Sequence, residues 1–389
     1  MDIRLNIYAI VLLFAFVQGL FYIFLFIKRG IQEERKSDFW MAALIASLCV
    51  FNLGWMLGFM GIYVLGQELW FFPHDVGLVI GPIIYYYLKT QINTDFQFTK
   101  QDFKHFIPYT VYFIYHLSLF LMGKNMVDWW AVKAHNPLHI GDIETYAAII
   151  SACVYMVASW RLYQKYLRWL PIERSDTEGV RFDWYRHFLW AIILGVVSAL
   201  VFFIIGLWTP LSYRDIWIQR VIVAAVIYYI SFAGYVQAQP RHLVFDEKKD
   251  GNEPFTNLAV VENEGKTVSK IEPKLDFQEL EKWKIKIENA MQNERLFLNS
   301  ELTLSELSDK LNSHNSLISN VINTAFQKNF NDFVNEFRVN VFKEKINDPK
   351  LKHLTLLAIA FDCGFNSKST FNRAVKKVTG QMPSDFLKS

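Results

Sequence analysis

The stretch that decides the fold of the C-terminal part is "IAFDCGFNSKSTFNRAVKKVTGQMPSDF", residues 359–386. Its apolar residues recur at helical spacing on both sides of Gly364. Glycine tolerates a positive φ, so Gly364 suits a tight turn. Ser367 can cap the helix that follows, and Gly380 can end it. The pattern therefore predicts a short helix, a turn and a second helix.

The second of these helices, "KSTFNRAVKKVTG" at residues 368–380, has two different faces. Helical spacing places one apolar set inward, and these residues are Phe371, Ala374, Val375 and Val378. The polar set on the other side is Lys368, Asn372, Arg373, Lys376 and Lys377. A helix that packs on one side and presents Arg, Asn and Lys on the other fits the major groove of DNA.

The same outline occurs once more upstream, in "LNSELTLSELSDKLNSHNSLISNVINTAFQKNF" at residues 298–330. We predict a first helix-turn-helix at about 303–327 and a linking helix at about 331–347, which Pro349 stops. The second helix-turn-helix covers about 354–380. A lone unit of this kind could equally be a small bundle with a solvated basic face, but two in tandem favour DNA binding.

The front of the chain is much more apolar than this end. The protein has 389 residues, of which 52% are hydrophobic, and most of that excess precedes Tyr235. About 20 apolar residues wound as a helix cross a bilayer. Seven runs approach that length, at about 5–27, 39–63, 69–88, 105–122, 144–162, 186–208 and 216–235. We therefore predict seven spans, the first of which is too long for a signal peptide.

The charges between the spans predict the orientation. With the N-terminus outside, the inner loops carry thirteen Lys and Arg residues and the outer side carries four. This bias follows the positive-inside rule. An odd number of spans then leaves the C-terminal part in the cytoplasm, so we predict a multi-pass protein of the inner (cytoplasmic) membrane.

Together these patterns predict an all-α chain: a seven-helix transmembrane bundle followed by a soluble double helix-turn-helix domain. The expected boundaries are 1–236 for the membrane domain, 237–275 for a flexible cytoplasmic linker and 276–389 for the soluble domain. The linker is rich in charge, Gly, Pro and Asn and has no sustained period. The three cysteines are scattered, without metal-ligand spacing.

The last hundred or so residues resemble the AraC/XylS-type DNA-binding domain of bacterial transcription regulators. The matching motifs are I-A-x-x-x-G-F, S-x-S-x-F-x-R, K-K-x-T-G and P-S-x-F, all within residues 359–386. The stretch "GPIIYYYLKTQINTDFQFTKQDFKHFIPY", residues 81–109, resembles bacterial membrane-anchored sensors in which seven spans precede such a domain. The resemblance implies two recognition helices that enter successive major-groove segments.

Carried onto this chain, the resemblance assigns DNA contacts to two groups of residues. In the second unit they are Lys368, Ser369, Asn372 and Arg373, with Lys376 and Lys377 on phosphates. In the first unit they are Asn315, Ser316, Ser319, Asn320 and Asn323. The first recognition helix has no Lys or Arg between Leu311 and Gln327, and charge neutralisation drives much of DNA affinity.

The function that we expect is a membrane-bound, sequence-specific transcription regulator that couples a sensed signal to gene expression. Its expected partners are double-stranded promoter DNA, the lipid bilayer, a signal ligand, RNA polymerase and a second copy of the chain. No catalytic residue, cofactor or metal is expected. The signal could bind the outer loop around Trp129, Trp130, His135 and Asn136, or a pocket near Asn52, Asp75 and Tyr85.

Two other functions remain open at this point. One is a seven-span membrane hydrolase or metal enzyme with an accessory tail, because ionisable groups inside membranes are often functional. Its candidate residues are His74, Asp75, His105, His116, His135 and His139, although no HExxH motif is present. The other is a tail that acts only in protein–protein interaction, which the uncharged first recognition helix would permit.

Overall fold

A computed structural model describes residues 6–63, 69, 71–237, 243–245, 247 and 276–387. Helices dominate the described residues, and the only β-pairing among them is two isolated bridges, so the all-α prediction is confirmed. The chain divides into two compact units, each described by itself below. Unit 1 comprises Met1–Tyr163 and Phe182–Phe245, and unit 2 comprises Gln164–Arg181 and Asp246–Ser389.

The described front of the chain consists mainly of apolar helices of very different lengths. They are α1 (Ile7–Gln32), α2 (Lys36–Phe59), α3 (Gly77–Ile92), α4 (Ile107–Leu121), α5 (Lys124–Trp130), α6 (Ile140–Glu173), α7 (Asp183–Trp208) and α8 (Tyr213–Val236). Five of those described are long and apolar enough to cross a membrane, namely α1, α2, α6, α7 and α8. The structure thus gives five candidates of full length where the sequence predicted seven spans.

The two remaining predicted spans correspond to shorter helices. Helix α3 has 16 residues and α4 has 15, which at 1.5 Å per residue is about 24 Å, less than the roughly 30 Å of a bilayer core. The third span was predicted from residue 69, but its helix begins at Gly77. Asp75 accepts a hydrogen bond from the Gly77 amide at 2.7 Å, and such a local bond favours a turn over an earlier helical start.

A buried ion pair joins three helices of unit 1. Arg29 of α1 donates to both carboxylate oxygens of Asp38 of α2, at 2.6 and 2.9 Å. The same guanidinium donates to the carbonyl of Tyr235 at the end of α8. Because this one charged group of α1 bonds to both α2 and α8, the ends of the three helices meet at one end of the unit.

A short segment after α8 pairs with the end of α3. The Thr94 amide donates to the Leu243 carbonyl at 2.8 Å, and the Phe245 amide donates to the Ile92 carbonyl at 3.0 Å. Residues 243–245 fall inside the predicted flexible linker, and backbone hydrogen bonds hold them to residues 92–94. The rest of the linker, apart from Gln237 and Glu247, lies outside the described residues.

The helices of the C-terminal part are shorter and amphipathic. They are α9 (Phe277–Gln292), α10 (Leu304–Lys310), α11 (Asn315–Ala325), α12 (Phe330–Ile346), α13 (Leu356–Phe361) and α14 (Lys368–Thr379). Short 3-10 turns at Leu296–Leu298, Pro349–Leu351 and Pro383–Leu387 complete the described part of this region. Helix pairs α10/α11 and α13/α14 lie where the two helix-turn-helix units were predicted, with α12 between them.

Helix α12 contributes to both hydrophobic cores of unit 2. Phe330, Phe333 and Val334 belong to the core around α9–α11, and Val339 and Phe342 belong to the core around α13 and α14. Phe337, Val341 and Ile346 of the same helix are half-buried and pack against the edges of these cores. A helix packed between two helix-turn-helix pairs is buried over a wide arc of its surface. A single apolar stripe therefore does not describe its buried face.

The inward face predicted for α14 is only partly correct. Phe371, Ala374 and Val375 are buried, whereas Val378 is 36% exposed. Val378 lies in the last turn of the helix, beyond the reach of the core formed with Phe342 and Phe365.

We predict that Gly364→Ala destabilises the second helix-turn-helix by about 2–4 kcal/mol. Gly364 has φ +91°, and a Cβ there would lie 2.4 Å from the Phe297 carbonyl oxygen and 2.9 Å from the Leu298 Cα. These are backbone atoms, which cannot move away from the added Cβ as the end of a flexible side chain could. The free energy of opening of α14, measured by amide hydrogen exchange in the full-length protein, checks this value.

Gly380→Ala is the matched control. Gly380 also has a positive φ, +74°, but no atom within 4 Å of the added Cβ, so only the backbone penalty of about 1–2 kcal/mol applies. Equal effects of the two substitutions would contradict the steric explanation for Gly364.

Candidate nucleic-acid interface

Helix α14 is fixed at both ends and along its inner side. The Ser367 hydroxyl accepts a hydrogen bond from the Thr370 amide at 3.1 Å, which confirms the predicted cap. Gly380 ends the helix in the left-handed conformation. On the inner side the Phe371 ring packs edge-on against Phe342, with 4.8 Å between ring centroids. The direction of the outer face is therefore set by the core.

The outer face of α14 carries every residue assigned to DNA in the second helix-turn-helix. Asn372 is half-buried and the others are exposed, namely Lys368, Ser369, Arg373, Lys376 and Lys377. Lys377 forms an ion pair with Asp332 of α12 at 2.6 Å. It therefore lies toward α12, while Lys368, Ser369 and Lys376 lie on the side of the helix that faces away from the core.

The residues assigned to DNA in the first helix-turn-helix lie along α11. Asn315, Ser316 and Asn323 are exposed, and Ser319 and Asn320 are half-buried. The Asn320 side-chain oxygen accepts a hydrogen bond from the Thr324 hydroxyl at 3.0 Å. The inward face, with Ile318, Val321 and Ile322, is fully buried. The structure thus brings the predicted residues together in two groups, one on each recognition helix.

One buried charge in this domain was missed by the sequence analysis. Arg338 of α12 is 0% exposed, and its guanidinium donates to the Phe297 carbonyl at 2.8 Å and to the Asn299 carbonyl at 2.7 Å. It also donates to the Asn335 side-chain oxygen at 3.1 Å. Burial lowers the pKa of Arg338 to about 10, and the nearby Asp176 partly offsets this.

The remaining partners of Arg338 come from residues 174–181, which connect α6 to α7 and belong to unit 2. Its guanidinium donates to the Ser175 hydroxyl at 3.1 Å. Ser175 is fully buried; its amide donates to the Leu302 carbonyl at 3.0 Å, and its carbonyl accepts from the Asn331 side chain at 2.7 Å. The inner loop that the sequence treated as a simple connection is therefore part of this folded unit.

The same segment also borders a cleft of about 750 Å³ within unit 2. Its charged lining mixes four cationic side chains with two carboxylates: Arg181, Lys328, Arg373, Lys377, Asp332 and Glu336. Asp332 pairs with Lys377 and Glu336 pairs with Lys328. The cleft thus adjoins one side of α14, next to Arg373.

The histidines that suggested an enzyme have ordinary partners. His116 pairs with Glu144 at 2.8 Å, His139 with Asp142 at 2.9 Å, and the His105 ring contacts the Tyr155 hydroxyl at 2.7 Å. Across the part of the chain that the structure describes, no group of three or more His, Cys, Asp or Glu residues could hold a metal ion. The geometry offers nothing specific in favour of the enzyme hypothesis.

The two proposed signal sites also have defined contacts. At the end of α5, the Trp130 indole donates to the Tyr115 hydroxyl at 2.9 Å, and Trp129 is exposed. In the helical bundle, the Asn52 amide donates to the Arg220 carbonyl at 3.3 Å. These contacts do not favour either site over the other.

Comparison with known protein families matches the C-terminal part of the chain. A family model described as "Helix-turn-helix domain" covers residues 307–389. The chain ends in an AraC-type helix-turn-helix domain. This domain supports a DNA-binding transcription regulator, a class of protein that is typically not enzymatic. No curated protein and no solved structure matches the chain.

Proposed function

We propose that the protein is a membrane-embedded transcription regulator in which seven spans precede an AraC-type domain that lies in the cytoplasm. The observation that supports DNA binding most strongly is the outer face of α14, where exposed Arg and Lys side chains project from a helix with a fixed core side. The five long apolar helices and the charge bias of the loops support the membrane location.

The pairing of residues 92–94 with 243–245 supports seven crossings rather than five. Residues 243–245 follow α8 and residues 92–94 follow α3, so the ends of α3 and α8 lie on the same side of the bilayer. With only the five long helices crossing, these two ends would lie on opposite sides. Helices α3 and α4 then cross as short spans, which local thinning of the bilayer accommodates.

The side of the membrane on which the DNA-binding domain lies does not depend on this count. Seven and five are both odd, so either number places the segment after α8 opposite the N-terminus. Residues 174–181 lie on the same side as that segment, because α7 and α8 form one pair of crossings. Both parts of unit 2 are therefore cytoplasmic in the proposal.

The two recognition helices have different roles in this proposal. On α14, Arg373 can form bidentate hydrogen bonds with guanine and Asn372 with adenine. Ser369 adds a polar contact. The phosphates are neutralised by Lys368, Lys376 and Lys377. On α11, Asn315, Ser316, Ser319, Asn320 and Asn323 supply uncharged polar groups. Helix α14 thus provides most of the affinity, and α11 adds base contacts.

The proposed partners follow from this role. Promoter DNA binds the two recognition helices, the bilayer surrounds unit 1, and a signal ligand acts on unit 1. RNA polymerase and a second copy of the chain are further partners, since one module reads a limited stretch of DNA.

We predict that Gln97, which is exposed in the segment after α3, is reachable from the cytoplasmic side. A Gln97→Cys variant in a background without the three native cysteines should react with a membrane-impermeant maleimide only in inverted vesicles. Lys133→Cys, an exposed position in the segment between α5 and α6, should react only from outside. Labelling of Gln97→Cys from outside would contradict the seven-span arrangement.

We also predict that Arg373→Ala weakens DNA binding by about 1–3 kcal/mol and relaxes base preference at one position. The probe is a duplex that the purified full-length protein enriches from random sequence, and binding is measured at fixed salt. Asn372→Ala should relax preference at another position with a smaller loss of affinity.

Lys282→Ala is the control, because Lys282 is an exposed cation on α9. Unchanged binding by Arg373→Ala would remove its assigned role. Failure of the wild-type protein to enrich any duplex at low salt would instead favour a tail that acts only in protein–protein interaction.

A further inference from the structure

Residues 176–178 lie along one edge of recognition helix α14. The Asp176 carboxylate accepts hydrogen bonds from the Thr370 hydroxyl and from the Asn366 side-chain amide, both at 3.1 Å. The Glu178 carboxylate accepts from the Ser367 hydroxyl. These donors lie at the N-terminal end of the helix, so two carboxylates are held at that end.

The same segment also contacts a residue assigned to base reading. The Arg373 guanidinium donates to the Thr177 hydroxyl at 3.4 Å, and Thr177 is buried. The contact turns Arg373 toward the edge of the helix that adjoins the cleft. Lys368, Ser369 and Lys376 lie elsewhere on the helix and remain exposed. The segment therefore takes one edge of the DNA-binding face and leaves the rest open.

This edge is also a place that suits a DNA phosphate. The N-terminal end of a helix carries partial positive charge and favours carboxylates and phosphates alike. The Ser367 and Thr370 hydroxyls and the Asn366 amide could donate to a phosphate oxygen as they now donate to Asp176 and Glu178. Two carboxylates at this position would also repel a phosphate backbone that approached it.

We propose that residues 176–178 are an intramolecular ligand of α14, which competes with a DNA phosphate for the N-terminal edge of the helix and is displaced when DNA binds. The proposal rests on the DNA-binding function proposed above. The contacted surface is formed by Asn366, Ser367, Thr370 and Arg373. Its occupant is an acidic segment of the same chain.

Because Ser175 anchors the segment inside the domain, displacement from α14 involves only the residues that follow Ser175. Ser175 is held by Arg338, Asn331 and Leu302 inside the domain, whereas Glu178 is exposed and Asp176 is half-buried. Asp176 and Glu178 can therefore leave α14 while Ser175 stays in place, and Thr177, which is buried, gives up only its bond to Arg373. The segment continues on both sides into apolar helices, α6 and α7, so a movement of α7 would pull directly on it.

The test is the DNA affinity of the full-length Asp176→Asn/Glu178→Gln protein. Both substitutions keep side-chain size and an acceptor oxygen but remove the negative charge. Because charge-assisted hydrogen bonds are about twice as strong as neutral ones, we expect binding to the enriched duplex to tighten by about 3- to 30-fold. The gain should shrink at high salt, where exposed charges are screened.

The control is Glu301→Gln/Asp309→Asn, which removes the same charge from exposed positions just before and within the first helix-turn-helix. Its affinity should change much less than that of the first variant. An equal gain in the control, or no gain in Asp176→Asn/Glu178→Gln, would overturn the proposal.

The outcomes also separate this proposal from the proposed function. If Arg373→Ala weakens binding and Asp176→Asn/Glu178→Gln leaves it unchanged, DNA binding stands and the competing segment does not. If the wild-type protein and both double variants all fail to bind duplex DNA, the proposed function itself fails.

Discussion

The buried guanidinium of Arg338 is the interaction on which the DNA-binding domain depends. An isolated charge inside a protein is costly, and it is tolerated only when its donors are satisfied. Here the acceptors come from three places: the turn before the first helix-turn-helix, helix α12 itself, and Ser175 of the loop between α6 and α7. One side chain therefore joins the loop to the domain.

In the proposed regulator, this arrangement gives a physical route along the chain from the apolar helices to the DNA-binding domain. The loop that Arg338 holds continues directly into residues 176–178, which touch α14. In a regulator whose spans respond to a signal, no separate messenger is then required, since the connection between two spans is itself a part of the DNA-binding unit.

The sequence predicted those features that depend on local chemistry. The cap at Ser367, the positive φ at Gly364 and most of the inward face of α14 follow from residue type and helical period. Arg338 was missed because α12 also carries Asn331 and Asn335, so this side of the helix reads as solvated. It is buried by Ser175, which lies 163 residues away, and no local pattern carries that information. The lengths of α3 and α4 were misjudged because apolar composition does not show where a turn delays a helix.

The measurement that tests this account most directly is amide hydrogen exchange of Ser175 in the full-length Arg338→Lys protein. Lysine keeps the charge but cannot reproduce the several directed bonds of a guanidinium. The account predicts slow exchange at Ser175 in the wild type and in an Arg295→Lys control, where the arginine is exposed, and much faster exchange in Arg338→Lys. Exchange of Ser175 at the rate of an unprotected loop in the wild type, while α12 stays protected, would contradict it.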